Sequence, residues 1–153
     1  MGKPNQDVFA ETLLALARED RDILVVTSDS RGSGKLRPLG DALPDQLIEM
    51  GIAEQNLVGV AAGLASAGKI VFAVSPACFL TARALEQIKN DVAYSDHPVK
   101  LVGISAGVSY GPLGSTHHSL HDFAALTADQ NIHRHIRPRW YLGLAAARRT
   151  PLP

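Results

Sequence analysis

A single cysteine, Cys78, in a chain of 153 residues excludes an internal disulfide and any multi-cysteine zinc or iron–sulfur site. It fits a reducing compartment and otherwise reads as a small buried apolar residue. An excess of charge is missing too. Fifteen Lys and Arg against fifteen Asp and Glu leave no net charge, so charge gives no reason to expect nucleic acid or an anionic membrane as a partner. No apolar run approaches the roughly 18 residues of a membrane span. The opening Met1-Gly2-Lys3-Pro4-Asn5-Gln6-Asp7 lacks the apolar core of a signal peptide. These features describe a soluble, cytoplasmic protein. What is abundant is hydrophobic residues, 46% of the chain, enough to bury one core in one domain.

Apolar patterning orders that core. Phe9, Leu13, Leu14 and Ala17 recur at helical spacing over 7–18, and Ile23-Leu24-Val25-Val26-Thr27 predicts a strand buried on both faces. Residues 28–40 read as loop by composition, 47–50 as a short strand, and 53–67 as a helix stopped by Gly68. A strand over 70–74, a helix over 79–94, a strand over 99–104 and a glycine-rich loop over 107–114 follow. Continuous apolar strands alternating with helices predict a three-layer α/β/α fold with a mostly parallel sheet, where ligand chemistry gathers at the carboxyl ends of the strands. Those ends are the loops beginning at Ser28, Ser75 and Ser105. After His133 the composition changes. Five of the ten arginines lie there, and no Asp or Glu occurs beyond Asp129. Residues 133–140 show neither strand alternation nor a helical stripe, 142–149 read as a short helix, and the pattern gives this tail no place in the sheet.

Glu54, Leu57, Val58, Ala61, Ala62 and Ala65 follow i, i+3, i+4, i+7, i+8 and i+11, which puts a carboxyl on the face that should be buried. Burial penalises the charged form, whereas the first turn of a helix favours it. A buried, protonated Glu can donate to a ring nitrogen; the alternative is a first-turn Glu facing solvent. The surrounding words decide more. Gly51-Ile52-Ala53-Glu54-Gln55-Asn56 followed by Val60-Ala61-Ala62-Gly63-Leu64-Ala65 closely resembles the cofactor-activating segment of transketolases and deoxyxylulose-phosphate synthases.

The resemblance runs over about 7–132 and implies the domain that holds the aminopyrimidine ring of thiamine diphosphate, with 1–132 as that domain and 133–153 as an atypical arginine-rich tail. It implies that Glu54 hydrogen-bonds the pyrimidine N1′ and activates the cofactor. Phe79, in Cys78-Phe79-Leu80-Thr81-Ala82-Arg83, matches the aromatic that packs on the ring. Asp29, after the first buried strand, matches a cofactor- or substrate-facing aspartate, and Ser33 falls where relatives contact a sugar phosphate; turn chemistry explains both as well. Thr116-His117-His118 is similar to a segment closing the substrate channel, which gives His117 a hydrogen-bonding or proton-shuttling role toward sugar hydroxyls. Arg83, Glu86 and Gln87 match a helix at a subunit interface, with a solvated helix face as the alternative. Pro76, Leu113 and Ser105 stand where the family carries an aromatic, an acid and a second histidine, so substrate choice does not transfer.

Two other motifs compete for the same residues. Gly32-Ser33-Gly34-Lys35 is followed by Leu36 and lacks the leading glycine of a phosphate-binding P-loop. His117 and His121 at i, i+4 beside Asp122 offer a zinc or iron site if all three lie on one helix. The Gly-Asp-Gly…Asn run that holds the diphosphate metal is missing. By resemblance, thiamine diphosphate is then shared with an N-terminal, diphosphate-binding transketolase subunit that carries Mg²⁺, in a homodimer or higher hetero-oligomer acting on sugars or sugar phosphates. The tail leads to the expectation of a truncated or frame-shifted product. The alternatives are a non-catalytic α/β interaction or assembly module, or a subunit of another thiamine-diphosphate enzyme, of the 2-oxoacid dehydrogenase or deoxyxylulose-phosphate synthase type.

Overall fold

The computed structural model describes residues 2–127 and, beyond them, the backbone of Ile132–His135 and Gly143–Ala147. Six strands form one sheet in the order β2-β1-β3-β4-β6-β5. β1 (Ile23–Thr27), β2 (Leu47–Glu49), β3 (Ile70–Pro76) and β4 (Lys100–Ile104) run parallel, as their continuous apolar sequences predict. Successive residues of these strands feed opposite layers. Val26, Val71, Ala73 and Leu101 pack under α3 (Glu54–Ser66), with Leu57, Val58 and Ala61. Val25, Phe72, Val74 and Val102 pack against Leu13 and Ala17 of α1 (Asn5–Glu19) and Leu39 of α2 (Arg37–Ala42). The three-layer α/β/α expectation is met. Among the described residues no helix is long and apolar enough to cross a membrane.

At the amino ends of the strands, Gln46 ties three segments together. Its side-chain amide donates to the carbonyls of Ala17 at 2.9 Å, Asp20 at 3.1 Å and Ile23 at 2.9 Å, satisfying acceptors where α1 ends and β1 begins. Gln46 is buried, as are Ala17 and Ile23, while Asp20 is half-buried.

Four sequence expectations need correction. The segment 28–40 is not all loop, because Pro38 sits in the first turn of α2, where its missing N–H and fixed φ are tolerated. The helix expected over 79–94 is broken. α4 (Ala77–Arg83) ends at Ala84, whose φ of −103° and ψ of 18° leave the helical range, and α5 (Leu85–Gln87) passes into a π-helical turn over Ile88–Tyr94. The wider turn brings Ile88, Val92 and Ala93, at i, i+4 and i+5, into the core beside α3. In the tail, the helix expected over 142–149 is instead β6 (Gly143–Ala147), antiparallel to β4 with Lys100 opposite Ala146. An open β4 edge offers unpaired backbone groups, and satisfying them outweighs the helix propensity of alanine. Ile132–His135, which showed no alternation, forms β5 beside β6, so the tail does have a place in the sheet.

Two packing details lead to measurable outcomes. A Cβ on Gly103 of β4 would lie 3.0 Å from Cβ and 3.3 Å from Cα of Ala77, so this glycine lets the start of α4 approach the sheet. Gly103→Val is expected to lower stability by about 1–3 kcal/mol in chemical denaturation, as overpacking does. Lys100 is 6% exposed, and its Nζ donates to the Pro98 carbonyl at 3.0 Å, with no carboxylate in ion-pair range among the described residues. Burial pushes its ammonium down from the ordinary value, so the folded chain holds this proton less tightly than the unfolded chain. The resulting penalty is full below the folded pKa and fades as pH rises toward the unfolded one. Lys100→Met is expected to raise stability at neutral pH and to remove this alkaline gain, read from denaturation midpoints across pH.

Candidate active site

The carboxyl ends of the parallel strands carry a cleft of about 390 Å³, lined by Ser28, Asp29, Ser33, Glu54, Pro76, Phe79, Arg83, Tyr110, Leu113 and His117 among others. All five residues expected to form a site therefore meet in one place. β1 and β3 are locked behind it by a 2.7 Å hydrogen bond between the buried Ser28 and Ser75 hydroxyls. Asp29 follows with φ of 48°, a left-handed conformation that an Asp tolerates when its surroundings hold it. Glu49, at the end of β2, holds it. One carboxylate oxygen accepts the backbone N–H of Asp29 at 2.6 Å and of Gly51 at 3.0 Å, and the other accepts from Arg31 Nε at 3.2 Å. Ser33 lies in the tight turn closed by Gly34 N–H on the Ser30 carbonyl at 2.7 Å, and its own hydroxyl reaches that carbonyl at 3.4 Å.

Glu54 opens α3 and is 3% exposed, so the solvent-facing alternative does not hold. A buried carboxylate needs a partner. Arg83 NH1 donates to Glu54 Oε2 at 2.9 Å, and the same guanidinium lies over the Phe79 ring with its carbon 4.1 Å from the centroid. The arrangement joins a charge-assisted hydrogen bond to a cation–π contact. His117 meets the Phe79 ring edge-on at 5.1 Å and the Tyr110 ring at 5.6 Å. Its Nδ1 shares a 3.0 Å hydrogen bond with Thr116 Oγ1, leaving Nε2 as the ring nitrogen without a hydrogen bond among the described residues. Cys78, next to Phe79, is 4% exposed, and burial pushes its thiol up, as fits an inert packing residue.

The metal alternative has no support in the geometry. α6 (Asp122–Thr127) begins after His121, so His117 lies in the preceding turn and the two rings share no helical face. Among the described residues no three His, Cys, Asp or Glu side chains converge as metal ligands would. Ser105, in a left-handed conformation at φ of 55°, is not among the residues lining the cleft. Sequence reasoning missed three contributors. Arg83, expected on a solvated or subunit-facing surface, turns toward Glu54; its i+4 spacing from Phe79 was the signal, since such pairs share a helix face. Tyr110 and Glu49 carried no comparable signal.

An α/β domain with parallel strands and a cleft of mixed polar and apolar lining at their carboxyl ends defines the class, a domain of the open-sheet type in which ligands gather at that end. The match of residues 3–139 to the family model "Transketolase, pyrimidine binding domain" narrows it, and the chain belongs to that family. It is 58% identical over 118 residues to an apulose-4-phosphate transketolase subunit of Phocaeicola vulgatus, covering 77% of this chain and 38% of that protein. It is 34% identical over 121 residues to the "6-deoxy-6-sulfo-D-fructose transketolase subunit SqwH" of a Clostridium species, covering 79% of this chain and 38% of that one. Among solved structures, a "Split gene transketolase, inactive beta4 tetramer" superposes with a TM-score of 0.72 at 36% identity, over 85% of this chain and 41% of the other. The chain thus spans about two-fifths of the length of the related transketolase subunits.

Glu49 provides a test of how the cleft is held. Glu49→Ala removes the acceptor shared by the Asp29 and Gly51 amides, a loss of about 1–3 kcal/mol. Faster hydrogen exchange at these two amides, with the β3 and β4 amides unaffected, is the expected result.

Proposed function

We propose that this chain is the pyrimidine-binding part of a split, transketolase-like transferase. In this reading it moves a ketol unit between sugars or sugar phosphates with thiamine diphosphate, the cofactor that membership of the family implies. The observation that carries the reading is the slot between Glu54 and Phe79. It already accommodates a planar, N–H-donating group, the Arg83 guanidinium, hydrogen-bonded to the carboxylate and stacked on the ring. An aminopyrimidine has the same flatness and can meet the same two partners, so the residues fit the group.

When bound, thiamine diphosphate supplies the electron sink for breaking and making the carbon–carbon bond. The chain contributes position and proton control. Glu54 fixes a proton at a pyrimidine ring nitrogen from its buried place at the start of α3, and Phe79 sets the ring plane. Asp29, held by Glu49, faces the cofactor or substrate, and Ser33 lies toward a sugar phosphate. His117, backed by Thr116 and flanked by Phe79 and Tyr110, presents Nε2 to sugar hydroxyls as a hydrogen-bond partner or proton shuttle. All of these groups lie within residues 1–132, and the arginine-rich 133–153 adds β6 and most of β5 to the same sheet. The names of the two related transketolase subunits describe acidic or phosphorylated sugars, which supports a sugar-phosphate donor here.

A diphosphate-binding partner chain holds Mg²⁺ and completes the site within a homodimer or higher hetero-oligomer, in the cytoplasm. The word "split" in the name of the structural neighbour supports that partnership. Co-expression with the diphosphate-binding chain is expected to give ketol transfer that Glu54→Gln and Glu54→Ala each reduce by about 10²–10⁴-fold, the range for a lost acid–base group. Transfer undiminished in both variants would overturn the assignment of Glu54.

A further inference from the structure

We propose that Arg83 is a displaceable plug, a side chain that fills the aminopyrimidine slot while the slot is free and must swing out before a ligand enters. The inference rests on the cofactor reading above for the ligand, and on geometry for the plug. The guanidinium occupies both recognition elements at once, the Glu54 carboxylate at 2.9 Å and the Phe79 face at 4.1 Å. A flat ring with an N–H donor cannot use either while Arg83 remains. The two halves of the ion pair differ in freedom. The Glu54 side chain is 2% exposed and built into α3, whereas the Arg83 side chain is 46% exposed at the last residue of α4, just before the helix breaks at Ala84. The anion is fixed and the cation can move.

The bridge also divides space. On one side lies the cleft of about 390 Å³ with Phe79 and His117; on the other lies a second, of about 410 Å³, lined by Ile52, Ala53, Glu54, Gln55, Asn56 and Arg83. Both hollows share Ile52, Glu54 and Arg83, so withdrawing the guanidinium joins them into one groove around Glu54. Gln55 and Asn56 in the second hollow offer side-chain carbonyls that can receive the displaced guanidinium. The plug has a thermodynamic reason. A buried carboxylate left unpaired is costly, so an internal cation covers it until a ligand does so. Because the Arg83 end is half in solvent, the cover is weak and a ligand can displace it. Apparent affinity falls by the fraction of molecules in which the slot is open. A ligand unable to offer a donor to Glu54 would leave that carboxylate uncovered, so the plug also selects against it.

The test uses the full chain assembled with its diphosphate-binding partner chain and two probes, thiamine and methylguanidinium chloride, titrated calorimetrically into the native complex, Arg83→Met and Arg83→Ala, with folding checked by thermal melts. Arg83→Met is expected to bind thiamine about five- to tenfold more tightly than the native chain, the scale of a half-exposed ion pair. Methylguanidinium is expected to compete with thiamine in Arg83→Ala and not in the native chain. In the native protein, which needs no substitution, thiamine is expected to shift the NMR signal of Arg83 Nε–H to the position of a solvated arginine. Equal or weaker thiamine binding by a folded Arg83→Met, with an unmoved Arg83 signal, overturns the plug and leaves the cofactor reading standing. Methylguanidinium bound by Arg83→Ala while no variant binds thiamine supports the plug and overturns the cofactor reading. Binding of neither probe to any form overturns both.

Discussion

The cleft depends on the parallel pairing of β1 with β3. Because Ile23 to Thr27 lie beside Ile70 to Val74 in register, the two loops that follow leave the sheet side by side at the same end. The Ser28–Ser75 hydroxyl contact then sets their separation before any charged group is involved. β2 on one flank and β4 on the other repeat the direction, so Glu49, Asp29, Phe79 and the loop bearing His117 converge. Both faces of these strands are covered by helices, and their apolar sequences are the condition for that coverage.

Upon this frame sits an unfavourable group. Placing a carboxylate on the buried face of α3 is tolerated because a helix that packs nearby, α4, ends with an arginine aimed at it. Phe79 and Arg83 are one turn apart on α4, and Gly103 allows that helix to sit close to β4. The π-helical turn after Ala84 then restores the chain to the core through Ile88, Val92 and Ala93. Site and scaffold are joined in this helix, since one turn of it carries Phe79 and Arg83 while the residues beyond the break fill the core.

Much of this was legible in the sequence. The parallel strands announced themselves as unbroken apolar runs, and the spacing from Glu54 to Ala65 placed a carboxyl on a buried face correctly. Asp29, Ser33, Glu54, Phe79 and His117 were named from wording alone, and they share one cleft. What sequence patterns missed has a common cause. The break at Ala84, the pairing of β6 with β4 and the Glu49 clamp are settled by contacts between segments distant in the chain, which local propensity does not encode. The tail is the clearest case, since Leu144 to Ala147 are good helix formers by composition and lie in a strand because an edge was available.

Gln46 and Glu49 stand only three residues apart yet govern opposite ends of the sheet. The amide of Gln46 serves three carbonyls at once, so replacing it would require three acceptors to find new donors together. The carboxyl end is pinned by separate side chains, each with its own one or two contacts. A substitution in the cleft therefore disturbs one or two contacts at a time, whereas a substitution of Gln46 disturbs three segments together.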